Sequence, residues 1–197
     1  MSALELGPAT RATAVVVAGV GDDQLGGPTP CPDWTVGDLL DHIGGLSYAF
    51  TVAARKEVLE PHGPSADGSR LESGWRDRIT AALDELAASW REPGAFEGRT
   101  MAGPVEMAAD EAALVALNEV VVHGWDLARA TGQTYDPDPV AAELCVSFVA
   151  AFDAPAGGPA DDSDDGGLFG APVRVAADAP ALDRLVGATG RRPDWTR

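Results

Sequence analysis

The sequence predicts an all-α protein, an antiparallel four-helix bundle followed by a short C-terminal extension. Three observations point there. Apolar residues recur at three- and four-residue spacing over long stretches, the mark of helices with one face turned inward. Glycine and proline gather in a few loops between those stretches instead of spreading evenly. Strand-like alternation is scarce. With 197 residues, 45% of them hydrophobic, the chain can build one ordinary domain with a sizeable core.

Taken in order, the first helix is expected over residues 8–20, with Pro8 in a first turn where its missing N–H costs nothing. Gly21-Asp22-Asp23 and Gly26-Gly27-Pro28 end it. A proline-rich loop then feeds a second helix, capped by Asp33 or Thr35, with Asp38 three residues after Thr35 as the capping-box acid. Val36, Leu39, Leu40, Ile43, Leu46 and Phe50 carry its periodicity, which extends the expectation to about Leu59. Gly44-Gly45 in its middle should each cost about 1 kcal/mol against alanine, which implies a close approach by a neighbouring helix or a ligand.

A loop over residues 61–69 precedes a third helix over residues 70–90, with Leu71, Trp75, Ile79, Leu83 and Leu86 on one face. Residues 96–105 are expected to hold a short extended piece. A fourth helix is expected over residues 107–131, stopped by Gly132, and a fifth over residues 137–152. Residues 154–167, with Asp161, Asp162, Asp164 and Asp165, read as a solvated acidic loop. Residues 169–176 resemble another extended segment and residues 181–188 a last short helix. The chain thus divides into a bundle over residues 1–153 and an extension over residues 154–197 packed on it.

Charge narrows the partners. Lys plus Arg number 14 against 31 Asp plus Glu, a net charge of −17, which repels phosphate backbones and anionic membranes. Neither nucleic acid nor a membrane is an expected partner. Cys31 and Cys145 form no CxxC pair, the N-terminus lacks a basic signal-peptide region, and no apolar run is long enough to span a bilayer. The expectation is a reduced cytoplasm, with room left for a homodimer.

Only three histidines occur, so their positions are informative. Glu119 and His123 lie four residues apart and share one helical face, a half-site for a divalent metal. His42, on the apolar stripe of the second helix, is the candidate third ligand. Two imidazoles and a carboxylate leave a position open for water or substrate, as catalytic sites do. The plain alternative is also open, since a Glu–His pair at this spacing and a lone core histidine are both common without a metal. Asp38 and Asp126 lie one turn from His42 and His123 and could accept their remaining ring N–H, although helix capping explains Asp38 equally well. His62 reads as a loop residue, Cys31 and Cys145 as a loop thiol and a core thiol, and Trp34, Trp75, Trp90 and Trp125 as packing. No phosphate-binding glycine loop is present.

The stretch Thr29-Pro-Cys-Pro-Asp33-Trp34-Thr35-Val-Gly-Asp38-Leu-Leu-Asp41-His42-Ile, with Glu119-Val-Val-Val-His123-Gly124-Trp125-Asp126 far downstream, resembles the N-terminal domain of mycothiol-dependent maleylpyruvate isomerases. It is most similar to the stand-alone actinobacterial metal-binding proteins of that group, within the DinB-like superfamily. The tail, Leu168-Phe169-Gly170-Ala-Pro172-Val and Asp183-Arg184-Leu185 through Asp194-Trp195, is similar to the group's ending. The resemblance implies a DinB-like bundle and places the metal ligands on His42, Glu119 and His123. It implies zinc first, with nickel or iron also suited to these donors, and mycothiol as a thiol co-substrate activated by the metal. The isomerases carry a larger second domain that helps bind substrate, and the stretch after Phe152 is too short for it. Maleylpyruvate is therefore not the expected substrate.

The leading expectation is a metal-dependent thiol transferase, isomerase-like in its machinery, that joins mycothiol to a small electrophile. A non-catalytic metal- or ligand-binding stress-response protein is the rival reading. Third comes metal-assisted hydrolysis, which would need a base other than the ligand Glu119, such as Asp126 or His62.

Overall fold

The protein is described by a computed structural model covering residues 4–57, 66–152 and 169–197. Among them are six helices and one two-stranded hairpin. The all-α expectation therefore needs one amendment, a small sheet. His62, the acidic residues 161–165 and the expected end of the second helix at Leu59 lie outside the described residues.

Helix α1, Gly7–Ala18, carries Pro8 in its first turn and buries Ala9, Thr13, Val16 and Val17. Helix α2, Val36–Ala54, starts on a capping box: Asp38 N–H donates to Thr35 Oγ1 at 3.2 Å and Thr35 N–H donates to Asp38 Oδ2 at 2.8 Å. It stops earlier than its periodicity suggests. Lys56 takes a left-handed φ of 58°, and N–H groups of Lys56 and Glu57 turn back onto the carbonyls of Ala53 and Val52 at 3.1 Å. This is the doubly bonded left-handed helix stop, made here without glycine.

Helix α3, Trp75–Ser89, begins later than expected, because residues 68–70 form a single tight turn and Gly74, at φ 78°, precedes the first helical residue. The anticipated extended piece is a hairpin, β1 Arg99–Ala102 and β2 Val105–Ala108, antiparallel with Arg99 opposite Ala108. Gly103, at φ 59°, supplies the first position of the two-residue turn. β2 takes the residues expected to open the fourth helix, so α4 spans Ala109–Thr131 and ends at Gly132, φ 72°. Helix α5 is Pro139–Phe152 and α6 is Ala181–Ala188. Residues 171–176 form no strand; their Val173 N–H donates to Gly187 O at 2.8 Å.

Helices α1 and α2 each pack against both α3 and α4. Helix α5 packs on α4, α6 on α5, and the hairpin on α2 and α4. Helix α4 is thus enclosed from several sides, and its run Ala116 to Ala128 is buried at nearly every position except Glu119. A helix apolar all round belongs in such a place. Leu39, Leu40, Ile43, Leu46, Leu83, Leu86 and Leu117 fill the space between the helices. At two helical glycines a side chain from a neighbouring element presses against the helix backbone. A Cβ at Gly44 would stand 3.3 Å from Ile79 of α3, so a helix and not a ligand makes that approach. A Cβ at Gly124 would stand 2.4 Å from Thr13 Oγ1 and 2.6 Å from Tyr135 Oη. No described helix is long and apolar enough to cross a membrane.

Candidate metal centre

Helix α2 presents His42 and helix α4 presents Glu119 and His123 to a common point. Glu119 Oε2 lies 3.1 Å from His123 Nε2 and 3.7 Å from His42 Nε2. One donor atom from each of the three residues falls within 4.8 Å of the others, and the two imidazole centroids are 4.9 Å apart. Donors around one ion at bond lengths of about 2 Å stand roughly 3.3 Å from each other in a tetrahedron. Glu119 Oε2 stands near that spacing from each imidazole Nε2, and two ring nitrogens with a carboxylate are donors that could hold a borderline divalent ion.

Electrostatics at this point favour positive charge. Burial alone would raise the Glu119 carboxyl, yet the hydrogen bond from His123 and then the nearby His42 ring carry it far below the ordinary carboxylate range. His123 moves the other way. Burial would lower it, but bonds to Asp126, Cys31 and Glu119 hold the imidazole well above its usual value. His123 Nε2 and Glu119 Oε2 face each other across the space that a cation would take.

Asp126 lies three residues after His123 and is fully buried. His123 Nδ1–H donates to its Oδ2 at 3.0 Å, which leaves Nε2 as the atom that turns to Glu119. The same Oδ2 accepts Cys31 S–H at 3.1 Å and Arg191 Nη2–H at 3.0 Å. Against the effect of burial, His123 and then Arg191 hold the Asp126 carboxyl below its usual value. Cys31, His123 and Asp126 form a second group of converging donors. Arg191 already supplies the cation there, with Nη2 at 3.4 Å from Cys31 Sγ as well.

Asp38 does not reach His42. Its Oδ2 accepts from the Thr35 hydroxyl and N–H, and its Oδ1 from Gly68 N–H at 2.7 Å. Those bonds, the hydroxyl's first, hold the carboxyl below its usual value. Asp38 starts α2 and ties down the loop before α3, whereas His42 Nδ1 is buried with no hydrogen-bond partner among the described residues.

The centre opens on a cavity of about 690 Å³, within the range of small-molecule sites. One wall comes from the loop before α2 and from α2 and α4: Cys31, Trp34, His42, Asn118, Glu119 and His123. The other comes from the C-terminal segment, Phe169 to Ala171 and Thr189 to Arg191. The Trp34 ring lies over both imidazoles, with centroids 4.8 Å from His42 and 5.9 Å from His123. Asn118 is 2% exposed and its Oδ1 has no partner among the described residues.

Sequence reasoning brought His42, Glu119, His123 and Asp126 to one place, and the structure puts them there. It read Trp34 as packing and Cys31 as a loop thiol, although both border the cavity. It passed over Asn118 and Arg191; only the likeness of the tail to a family ending drew attention to that stretch. Cys145 is a core thiol, pushed up to about 12 by burial, and both cysteines are unpaired.

Fold and centre define a helical protein with an imidazole–carboxylate cluster facing a cavity. The chain belongs to the mycothiol maleylpyruvate isomerase N-terminal domain family, whose model matches residues 6–128. Two uncharacterised Mycobacterium tuberculosis proteins, from strains CDC 1551 / Oshkosh and ATCC 25618 / H37Rv, are 34% identical over 146 residues. That stretch is 73% of this chain and 72% of theirs. The fold is similar to crystal structures of the mycothiol-dependent maleylpyruvate isomerase and of a histidine-to-alanine mutant of it. TM-scores are 0.57 and 0.56 at 19% and 16% identity, covering 73% of this chain and 67% of those.

Proposed function

We propose that this chain is a DinB-like four-helix-bundle metalloprotein that uses a divalent ion, zinc first, to join a small thiol of the mycothiol type to a small electrophile. The ion's ligands are His42, Glu119 and His123. The observation that carries this reading is the convergence of those three donors, from two helices, at the wall of a ligand-sized cavity. Family membership supports the thiol, and the packing of α1 and α2 against both α3 and α4 supports the bundle.

When bound, the ion would supply Lewis acidity that keeps a thiol deprotonated near neutral pH. The chain's own residues do the rest. Asp126 holds the proton on His123 Nδ1, so that the Nε2 lone pair is the one available for ligation. Glu119, part-exposed at the cavity wall and hydrogen-bonded to His123, stays ionised. Trp34 covers the imidazoles and keeps bulk water from one side. In the transfer, the thiol gives its proton to solvent. A carbon–sulfur bond forms while the electrophile's π bond or leaving-group bond breaks, and a returning proton or departing anion balances the step.

Elemental analysis of the purified protein tests the first half. The wild type should carry about one metal per chain, and His123→Ala should lose it while its far-ultraviolet circular dichroism stays helical. Stoichiometric metal in that variant would sink the assignment. Incubating the loaded protein with mycothiol and reactive electrophiles tests the second half, since only an enzyme gives metal-dependent conjugate.

A further inference from the structure

We infer that Arg191 is a positioning residue of the metal centre, through which the C-terminal segment sets the orientation of the His123 ligand. The inference rests on the metal reading proposed above. Residues 6–128 carry all three candidate ligands and match the family model. Arg191 lies beyond them, 65 positions from Asp126 and 160 from Cys31, and bonds to both.

Its guanidinium is held as a fixed fork. Nε–H donates to Asp126 Oδ1 at 3.3 Å and Nη2–H to Asp126 Oδ2 at 3.0 Å, while Nη1–H donates to Thr189 O at 2.9 Å. The side chain is 15% exposed. Its backbone is fixed too: Arg191 N–H donates to Val186 O at 2.8 Å, behind a buried Leu185–Val186 pair of α6. Gly190, at φ 86°, lies so close to Gly170 that a Cβ would stand 2.9 Å from that residue's backbone. The segment therefore delivers the guanidinium to one place.

A tail anchor could use any acid. This one shares a single oxygen with a candidate ligand: Asp126 Oδ2 accepts from Arg191 Nη2 and from His123 Nδ1, both at 3.0 Å. Where the fork holds that oxygen, the ring must follow, and a fork fixes both rotation and distance where a point charge fixes only distance. Metal centres tolerate roughly 0.5 Å and 10–20° of ligand misplacement, and partners of ligating histidines are typically worth about 10–100-fold in metal affinity.

The test compares wild type, Arg191→Lys and Arg191→Met in metal affinity by competition with a chelator, and in the visible spectrum of the cobalt-loaded protein. The lysine variant keeps the charge at the tail contact but not the fork, so melting of its metal-free form serves as the folding control. Expected are a cobalt spectrum altered in band position or intensity in both variants, and metal affinity weakened about 10-fold or more in Arg191→Met with partial recovery in Arg191→Lys. An Arg191→Lys protein that melts like the wild type and matches it in both spectrum and affinity overturns the inference. Should Arg191→Met not fold, the lysine variant alone decides. A wild type that binds no metal fails the underlying reading instead, a result visible before any variant is measured.

Discussion

Glu119 and Asp126 are two carboxylates on one helix, on either side of the same imidazole, and they are neutralised in opposite ways. Asp126, 0% exposed, has a guanidinium built against it by the C-terminal segment. Glu119 has, among the described residues, two imidazoles and no permanent cation. A buried carboxylate with its own arginine is complete as folded. One whose partners are two rings needs an added positive charge, and a proton on His123 or a metal ion can each supply it. The difference separates a carboxylate with a built-in counter-charge from one without more clearly than burial does.

The sharpest way to break this comparison is Asp126→Asn. It leaves the Arg191 guanidinium without its counter-charge, and the loss of stability should be about 3–5 kcal/mol in chemical denaturation of the metal-free protein. A variant as stable as wild type would mean the pair carries no weight. Next comes Glu119→Gln, which should remove stoichiometric metal yet reduce metal-free stability by only about 1.5 kcal/mol, the worth of a charge-assisted hydrogen bond. Equal destabilisation by the two changes would erase the distinction drawn here.

The smallest effect is the pH dependence, and its sign is informative. His123 is raised above 6.5, so its contribution is fully present below that value and fades as pH climbs through the folded value. Glu119 is lowered from 4.5, so its contribution is present above 4.5 and fades only in strong acid. Chelator-treated protein should therefore lose melting temperature as pH rises past 6.5. Bound metal should do the reverse and dissociate as pH falls, because protons compete for the same nitrogen. Melting curves with and without chelator across pH 5 to 9 check this, and parallel trends in both would count against a shared proton-or-metal site.

Much of the fold was legible because it is written locally. Leu39, Leu40, Ile43 and Leu46 announce α2 by spacing, Thr35 and Asp38 announce its start, and Gly132 announces the end of α4. What escaped depends on contacts that spacing does not encode. Nothing local says that α2 stops at Ala54, since the left-handed residue there is Lys56 and not glycine. The hairpin took Met107 from the expected fourth helix because β2 runs straight into α4. At the centre, the i,i+4 pair Glu119/His123 is visible in any helical reading, whereas Asp38 could be assigned to a cap or to His42 with equal reason. The structure gives it to the cap. Arg191 was invisible in another sense: one arginine in a tail has no periodicity, and its partners Asp126 and Cys31 lie 65 and 160 positions away.

Gly124 follows His123, about 100° further round α4, and faces Thr13 and Tyr135 with no room for even one carbon between them. Thr13 also donates its hydroxyl to Val120 O at 3.1 Å, one turn earlier. Together these act as a notch that indexes the helix about its long axis. The azimuth at which Glu119 and His123 leave α4 is thus inherited from α1, an element that lends no side chain to the cavity at all.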